Sequence, residues 1–222
     1  MLFSLFRSFS VLSLMSCTSA LASPASILES AKLYTGFQFN HIFIDARKRS
    51  SNDAIDFSLS QQTQYGVIAG VEFPLKTDWS LAAELLWQPN GHNYVIRAPV
   101  SVPSLGVVAS KSYGKVSDSK AMSLHLNYEL NPSNRVFAKV MRGRYDWQVV
   151  TQTDQASLPT TTLAKNQGSD FFTAVGLGYQ QTLTENWWFR PEAIFFVQTD
   201  ADKNPLFKFT TYEVALSLGY RF

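Results

Sequence analysis

The sequence predicts an all-β protein, an eight-stranded antiparallel up-and-down transmembrane β-barrel. Three observations carry that expectation. Apolar side chains recur at every second position through most of the chain, the period of a strand with two unlike faces. The connections between these stretches alternate between short turns and long polar segments. The bulky residues, aromatic rings above all, gather on one face, while Gly, Ala, Ser and a set of charges gather on the other.

The chain opens "MLFSLFRSFSVLSLMSCTSALAS", with Arg7 ahead of a short apolar stretch and then Ala20-Leu21-Ala22. The stretch is too short to span a membrane and reads as a secretory signal, residues 1–22, cut after Ala22. A lipoprotein signal is the alternative, because Leu14-Met15-Ser16-Cys17 resembles a lipobox, but Ala20-Leu21-Ala22 is the better processing match. Residues 23–222 then form one barrel domain, with no linker or repeat dividing them. Cys17 is the only cysteine, so the processed chain has no disulfides. Removing Arg7 takes the formal charge from +2 to +1, which argues against a nucleic-acid partner.

Eight strands follow in order. The first is Ala31 to Ile44 and the second Thr63 to Phe73, with Tyr65, Val67, Ala69, Val71 and Phe73 on one face. The third, Trp79 to Gln88, sets Leu81, Ala83, Leu85 and Trp87 against Ala82, Glu84, Leu86 and Gln88. The fourth, Ala121 to Leu130, alternates most cleanly, with Met122, Leu124, Leu126 and Tyr128 against Ser123, His125, Asn127 and Glu129. The fifth runs from Val136 to about Val150 and is ambiguous. Placing Phe137, Lys139, Met141, Gly143, Tyr145 and Trp147 toward lipid puts Arg142, Arg144 and Asp146 together on the polar face, and Lys139 is then expected to snorkel. The sixth is Asp170 to Leu183, the seventh Trp187 to Val197, and the eighth about Phe209 to Phe222.

The turns "PLKTD", "NPSN" and "TEN" are short, and the segments 45–62, 89–120, 148–169 and 198–208 are long and polar. A meander built this way has its turns at one end and its loops at the other, as transmembrane barrels do. A soluble lipocalin-like barrel is the alternative, but eight strands enclose too little room for so many rings. The rings are therefore expected to face lipid, in two girdles: Trp79, Tyr128, Tyr179 and Trp187 near the turns, and Trp87, Trp147, Phe195 and Tyr212 near the loops. The opposite face is expected to form a lumen network of Glu72, Glu84, His125, Glu129, Arg142, Arg144, Arg190, Glu192 and Glu213. Asp146 and Arg221 belong to the same face, and Glu84, Glu192 and Arg142 should share one layer with Arg190 near it.

The stretches "GLGYQQTLTENWWFRPEA" and "VALSLGYRF" resemble the small eight-stranded outer-membrane barrels of Gram-negative bacteria, the OmpA/OmpX and opacity-protein group. The resemblance implies an outer-membrane location and contact with membrane lipid and lipopolysaccharide. It also implies a C-terminal insertion signal, carried here by Leu216, Leu218, Tyr220 and Phe222 and read by the barrel-insertion machinery through strand addition.

Chemical motifs are scarce. "GLGYQQ" lacks the third glycine of a dinucleotide turn, "DADKN" has Pro205 where a calcium loop needs glycine, and His41, His92 and His125 form no metal-spaced cluster. No cofactor, metal or catalytic residue is expected. The favoured reading is a monomeric structural barrel with a plugged lumen that meets a host or cell-surface ligand through its loops, as an adhesin does. A lipid A-modifying acyltransferase or deacylase and a small pore are the alternatives. Arg47, Lys48 and Arg49 form a basic patch suited to acidic glycans or lipopolysaccharide phosphates. "YVIRAPVSV" and "LGVVASKSYG" are expected to form a projecting hairpin with an exposed edge.

Overall fold

The structure is a computed structural model and describes residues 30–48, 55–103, 106–154, 160–199 and 207–222. The expected signal segment 1–22, with Cys17, and the basic residue Arg49 lie outside them. Every regular element among the described residues is a strand. These are β1 (Lys32–Lys48), β2 (Asp56–Gln61), β3 (Thr63–Lys76), β4 (Trp79–Gln88), β5 (Asn93–Val102), β6 (Gly106–Asn131), β7 (Asn134–Thr153), β8 (Thr162–Thr182), β9 (Trp187–Thr199) and β10 (Phe207–Arg221).

Ten strands stand where the sequence predicted eight. β1, β3, β4, β6, β7, β8, β9 and β10 hydrogen-bond in that order, all antiparallel, and β10 returns to β1, so the sheet closes on itself. The two extra strands arise inside segments expected to be loops. β5 pairs with the distal part of β6, from Asn93 opposite Lys115 to Val102 opposite Gly106, and β2 pairs with β5. The β-branched run in "YVIRAPVSV" favours extended backbone. Gly106, at φ 73°, supplies the left-handed residue that starts the return strand. The hairpin stands where the sequence put it, but its edge is partly covered, because β2 lies along Asn93 to Arg97.

The short turns and the chain end share one rim. Asn131 Oδ1 accepts from Ser133 N at 3.1 Å, Thr184 Oγ1 accepts from Trp187 N at 3.1 Å, and Phe222 N donates to Leu33 O at 3.0 Å. β6, β7 and β8 run far past the opposite rim, where the long connections lie.

The faces are inverted relative to a soluble protein. Phe37, Leu85 and Leu177 point outward and are about 60% exposed or more, whereas Gln38 and Ser217 point inward and are 0–1% exposed. Such a surface is suited to hydrocarbon, and closure leaves no unpaired edge within it. Trp79, Trp87, Trp187, Phe195 and Tyr212 are exposed on the outer face, with Tyr128 and Tyr179 partly so.

β7 corrects the expected facing of the fifth strand. Phe137, Lys139 and Met141 are buried inside, while Val140, Arg142 and Arg144 are exposed outside. Register with β6 decides this, because Met122 sits opposite Arg142 and Ser123 opposite Met141. A one-residue slip would turn every side chain over. Trp147 likewise turns inward and packs over Gly168, so it leaves the lipid girdle. Glu129 is exposed at the turn rim, opposite Arg135 and beside the irregularity that ends the β6–β7 ladder. Asp146 is only half-buried and reaches the outward Arg144 at 3.6 Å.

Candidate functional site: the charged lumen

Inward positions on facing strands bring a set of ionisable side chains into the narrow half of the lumen. Glu84 on β4 is the hub. Arg190 Nη2 donates to its Oε2 at 2.7 Å, and Tyr34 OH donates to the same oxygen at 3.2 Å. β4 and β9 lie diametrically opposite in the eight-strand ring, so the Glu84–Arg190 pair crosses the full bore. His125 Nε2 lies 3.6 Å from Glu84 Oε1, and Ser123 Oγ is 2.9 Å from that same nitrogen.

A second group centres on Glu192. Lys139 Nζ lies 2.5 Å from Glu192 Oε2 in a fully buried ion pair. Gln38 Nε2 donates to Glu192 Oε1 at 2.7 Å, and Asn40 Nδ2 donates to Glu213 Oε2 at 2.8 Å. The third group, at the turn rim, centres on Glu72. Ser80 Oγ donates to it at 2.6 Å, Arg135 Nη1 at 2.5 Å and Arg221 Nη2 at 3.2 Å.

Acid thus meets base in each of three clusters, Glu72 with Arg135 and Arg221, Glu84 with Arg190 and Glu192 with Lys139, while Glu213 is held by Asn40. That balance is what burial requires, since an unpaired charge in the interior is far more costly than a paired one. The remaining space is filled by rings. Arg190 stacks against Trp188 and Phe137, at 5.0 and 5.5 Å from their centroids, and Tyr34 meets Trp188 edge-on at 5.9 Å. Glycine on neighbouring strands makes the room, since a Cβ at Gly219 would overlap the Trp188 ring and one at Gly178 the Phe137 ring.

Of the residues expected in this network, the structure brings Glu72, Glu84, His125, Arg190, Glu192 and Glu213 inside, and it leaves Arg142, Arg144 and Glu129 outside. Sequence reasoning missed Tyr34, Gln38, Asn40, Arg135 and Lys139. Lys139 lies against Gly176 on β8, whose missing side chain makes room for the lysine stem. Ser123, His125 and Glu84 have the residue types of a hydrolytic triad. Both contacts to His125 use one ring nitrogen, however, so the acid does not orient the base toward the serine.

A closed antiparallel sheet with an apolar outside and a charged inside defines a transmembrane β-barrel. The chain matches the outer membrane protein beta-barrel domain over residues 9–222 and belongs to that family. The protein is therefore one of the Gram-negative outer membrane. No curated protein matches the chain. Among solved structures it is similar to Ail, the attachment invasion locus protein of Yersinia pestis, at 12% identity, TM-score 0.49, covering 86% of this chain and 97% of that one. It is similar to OprG of Pseudomonas aeruginosa at 10% identity, TM-score 0.46, with 86% and 95% covered. It is also similar to the N-terminal barrel domain of OprF from Pseudomonas aeruginosa, at 11% identity, TM-score 0.40, with 87% and 98% covered.

Proposed function

We propose that this protein is a non-conducting, non-enzymatic outer-membrane barrel that works through its external surface, as an adhesin does. The observation that carries the first half is the Glu84–Arg190 pair across the bore, with tiers built on Glu192 and Glu72 beside it. Charges neutralised by one another and wedged by rings hold no continuous water path. The triad-like residues are 1–4% exposed and turned away from the lipid face, which speaks against lipid A chemistry.

Support for the second half comes from strand length. A membrane-crossing strand needs about 9–11 residues. β6 has 26 residues, and its segment 106–118 adds roughly 40 Å of strand at about 3.3 Å per residue. The hairpin arm from Ala98 to Val102 extends past β2 and offers an open backbone edge among the described residues. The test has two arms. Purified protein in planar bilayers should give no conductance steps, and regular steps would overturn the plug. Replacing residues 98–110 by a Gly-Ser turn should leave the folded gel band intact and lower binding to whole cells or matrix. Unchanged binding would move the interaction away from the hairpin.

Contact with lipopolysaccharide is the partner reading we attach to the corrected strand. Lys120, Arg142 and Arg144 stand outward on adjacent strands beside Trp87 and Phe171. They outnumber their carboxylate neighbours Asp118 and Asp146. Cations at the outer boundary, flanked by apolar side chains, suit a phosphorylated glycolipid. Arg142→Glu with Arg144→Glu should reduce the lipid phosphate that copurifies with the barrel; an unchanged amount would remove this partner.

Processing of residues 1–22 belongs to the same proposal. N-terminal sequencing of the membrane-purified protein should begin at Ser23, and a lipid-modified Cys17 would overturn it.

A further inference from the structure

Above the charged tiers the lumen changes character. A chamber of about 410 Å³ opens between the layer of Leu86 and Gln88 and the outer strands. Ile42, Ile44, Val149, Phe172 and Phe196 form much of its wall. We propose that this chamber binds one small, neutral, mostly apolar molecule that carries a hydrogen-bond acceptor oxygen. The inference goes beyond the surface role above and does not depend on it.

Size and lining set the class. The volume lies in the range of small-molecule sites, which are mostly apolar with a few placed polar groups. Gln88 is 4% exposed and borders the chamber. Its Oε1 accepts from Ser119 Oγ at 3.2 Å, while its Nε2 meets no acceptor among the described residues. Trp147 borders the same space, and its buried Nε1 also meets none. A buried donor without an acceptor is costly, and a ligand oxygen would relieve that cost.

Charge narrows the class further. Asp170 and Glu213 border the chamber, and among the described residues its wall holds no Lys or Arg. A carboxylate ligand would meet like charge and no counterion. The floor is closed by Glu213 with Asn40 and by the Lys139–Glu192 pair, so the chamber is a blind cup that captures rather than passes its occupant.

The experiment uses the protein in lipid nanodiscs with ¹³C-labelled isoleucine δ1 methyls. The probes are methyl octanoate, octanoate and decane. Methyl octanoate should shift the Ile42, Ile44 and Ile96 signals to saturation, and by more than those of Ile68 and Ile194, which pair with Leu86 and Glu213 at the floor. Octanoate and decane should bind about tenfold more weakly, and Gln88→Leu should bring the ester down to the level of decane. Ile44→Trp should fill the cup and abolish the shifts while the folded gel band persists. Shifts that grow without saturation would mean partition into the bilayer and overturn the proposal. Equal binding of octanoate, or an undiminished response in folded Ile44→Trp, would overturn it too. Should either variant fail to fold, the ratio among the three probes on the unaltered protein still decides.

Discussion

The two halves of one lumen solve the problem of filling a narrow barrel in opposite ways. Toward the turn rim, acids and bases from opposed strands pair directly, and Trp188, Phe137 and Tyr34 fill the gaps between them. Toward the outer rim, the same inward parity carries Ile42, Leu86, Phe172 and Phe196, and a chamber remains. The strands are continuous through both halves, so the difference is one of side chains alone. Packing is closest where charges are paired, and space is kept where the lining is mostly apolar.

The comparison is broken most forcefully at Glu84. Removing its carboxylate leaves Arg190 buried without its direct acceptor. Breaking a buried pair typically costs roughly 3–5 kcal/mol. Glu84→Ala should therefore lower the temperature at which the compact gel band is lost, by far more than Ile44→Ala in the chamber wall. Adding Arg190→Met to Glu84→Ala should recover most of the loss, because the second change removes the stranded cation. A double variant no better than the single one would mean that the pair is not what holds this half together.

A smaller effect sharpens the contrast through pH. His92 lies past the end of β4 at the outer girdle, and burial pushes its imidazole down to about 4. Gln64 Nε2 donates to its Nδ1 at 3.1 Å, a contact that needs the unprotonated nitrogen. The folded state thus keeps the ring neutral, whereas an opened chamber lets it take a proton below its ordinary value of 6.5. Stability of the outer half should be complete above pH 6.5 and fall as pH drops toward 4. Hydrogen exchange in β5 and the distal part of β6 should accelerate across that window, and His92→Gln should flatten the profile. Acceleration spread equally over β9 and β10 would place the acid sensitivity elsewhere.

How much of this was legible in the sequence follows from what period two records. Alternation fixed the strands and the inversion of faces wherever one parity was clearly apolar, as in β4 and β6, and Glu84 and His125 were placed inside by it. β7 carries large apolar and charged residues on both parities, so its own pattern is undecided. Its facing comes from pairing with β6, a long-range fact that no local window holds. The aromatic-outward rule failed at Trp147 and Phe137 for a related reason. A lumen accepts a ring where the neighbouring strand offers glycine, and that match lies between strands. β5 was legible as a hairpin arm from its β-branched run, whereas β2 was missed because polar loops and extended strands beyond the membrane share a composition. The chamber was invisible, since it depends on which inward residues stop short of one another.

The smallest predicted effect tests the corrected facing itself. Arg142 carries the same charge as Arg190, yet its guanidinium points outward, donates to Thr173 Oγ1 at 2.6 Å and lies 5.5 Å from the Phe171 ring. No carboxylate pairs with it among the described residues. Truncating an exposed side chain of this kind usually changes stability by about 0.5 kcal/mol or less. Arg142→Ala should therefore leave the melting of the compact gel band almost where it was, while Arg190→Ala, which strands Glu84, lowers it steeply. The two substitutions remove the same group from neighbouring regions of one barrel, so their ratio reads facing and little else. A loss at Arg142 comparable to that at Arg190 would mean that Arg142 lies inside, and β7 would have to be turned over with Lys139 facing lipid.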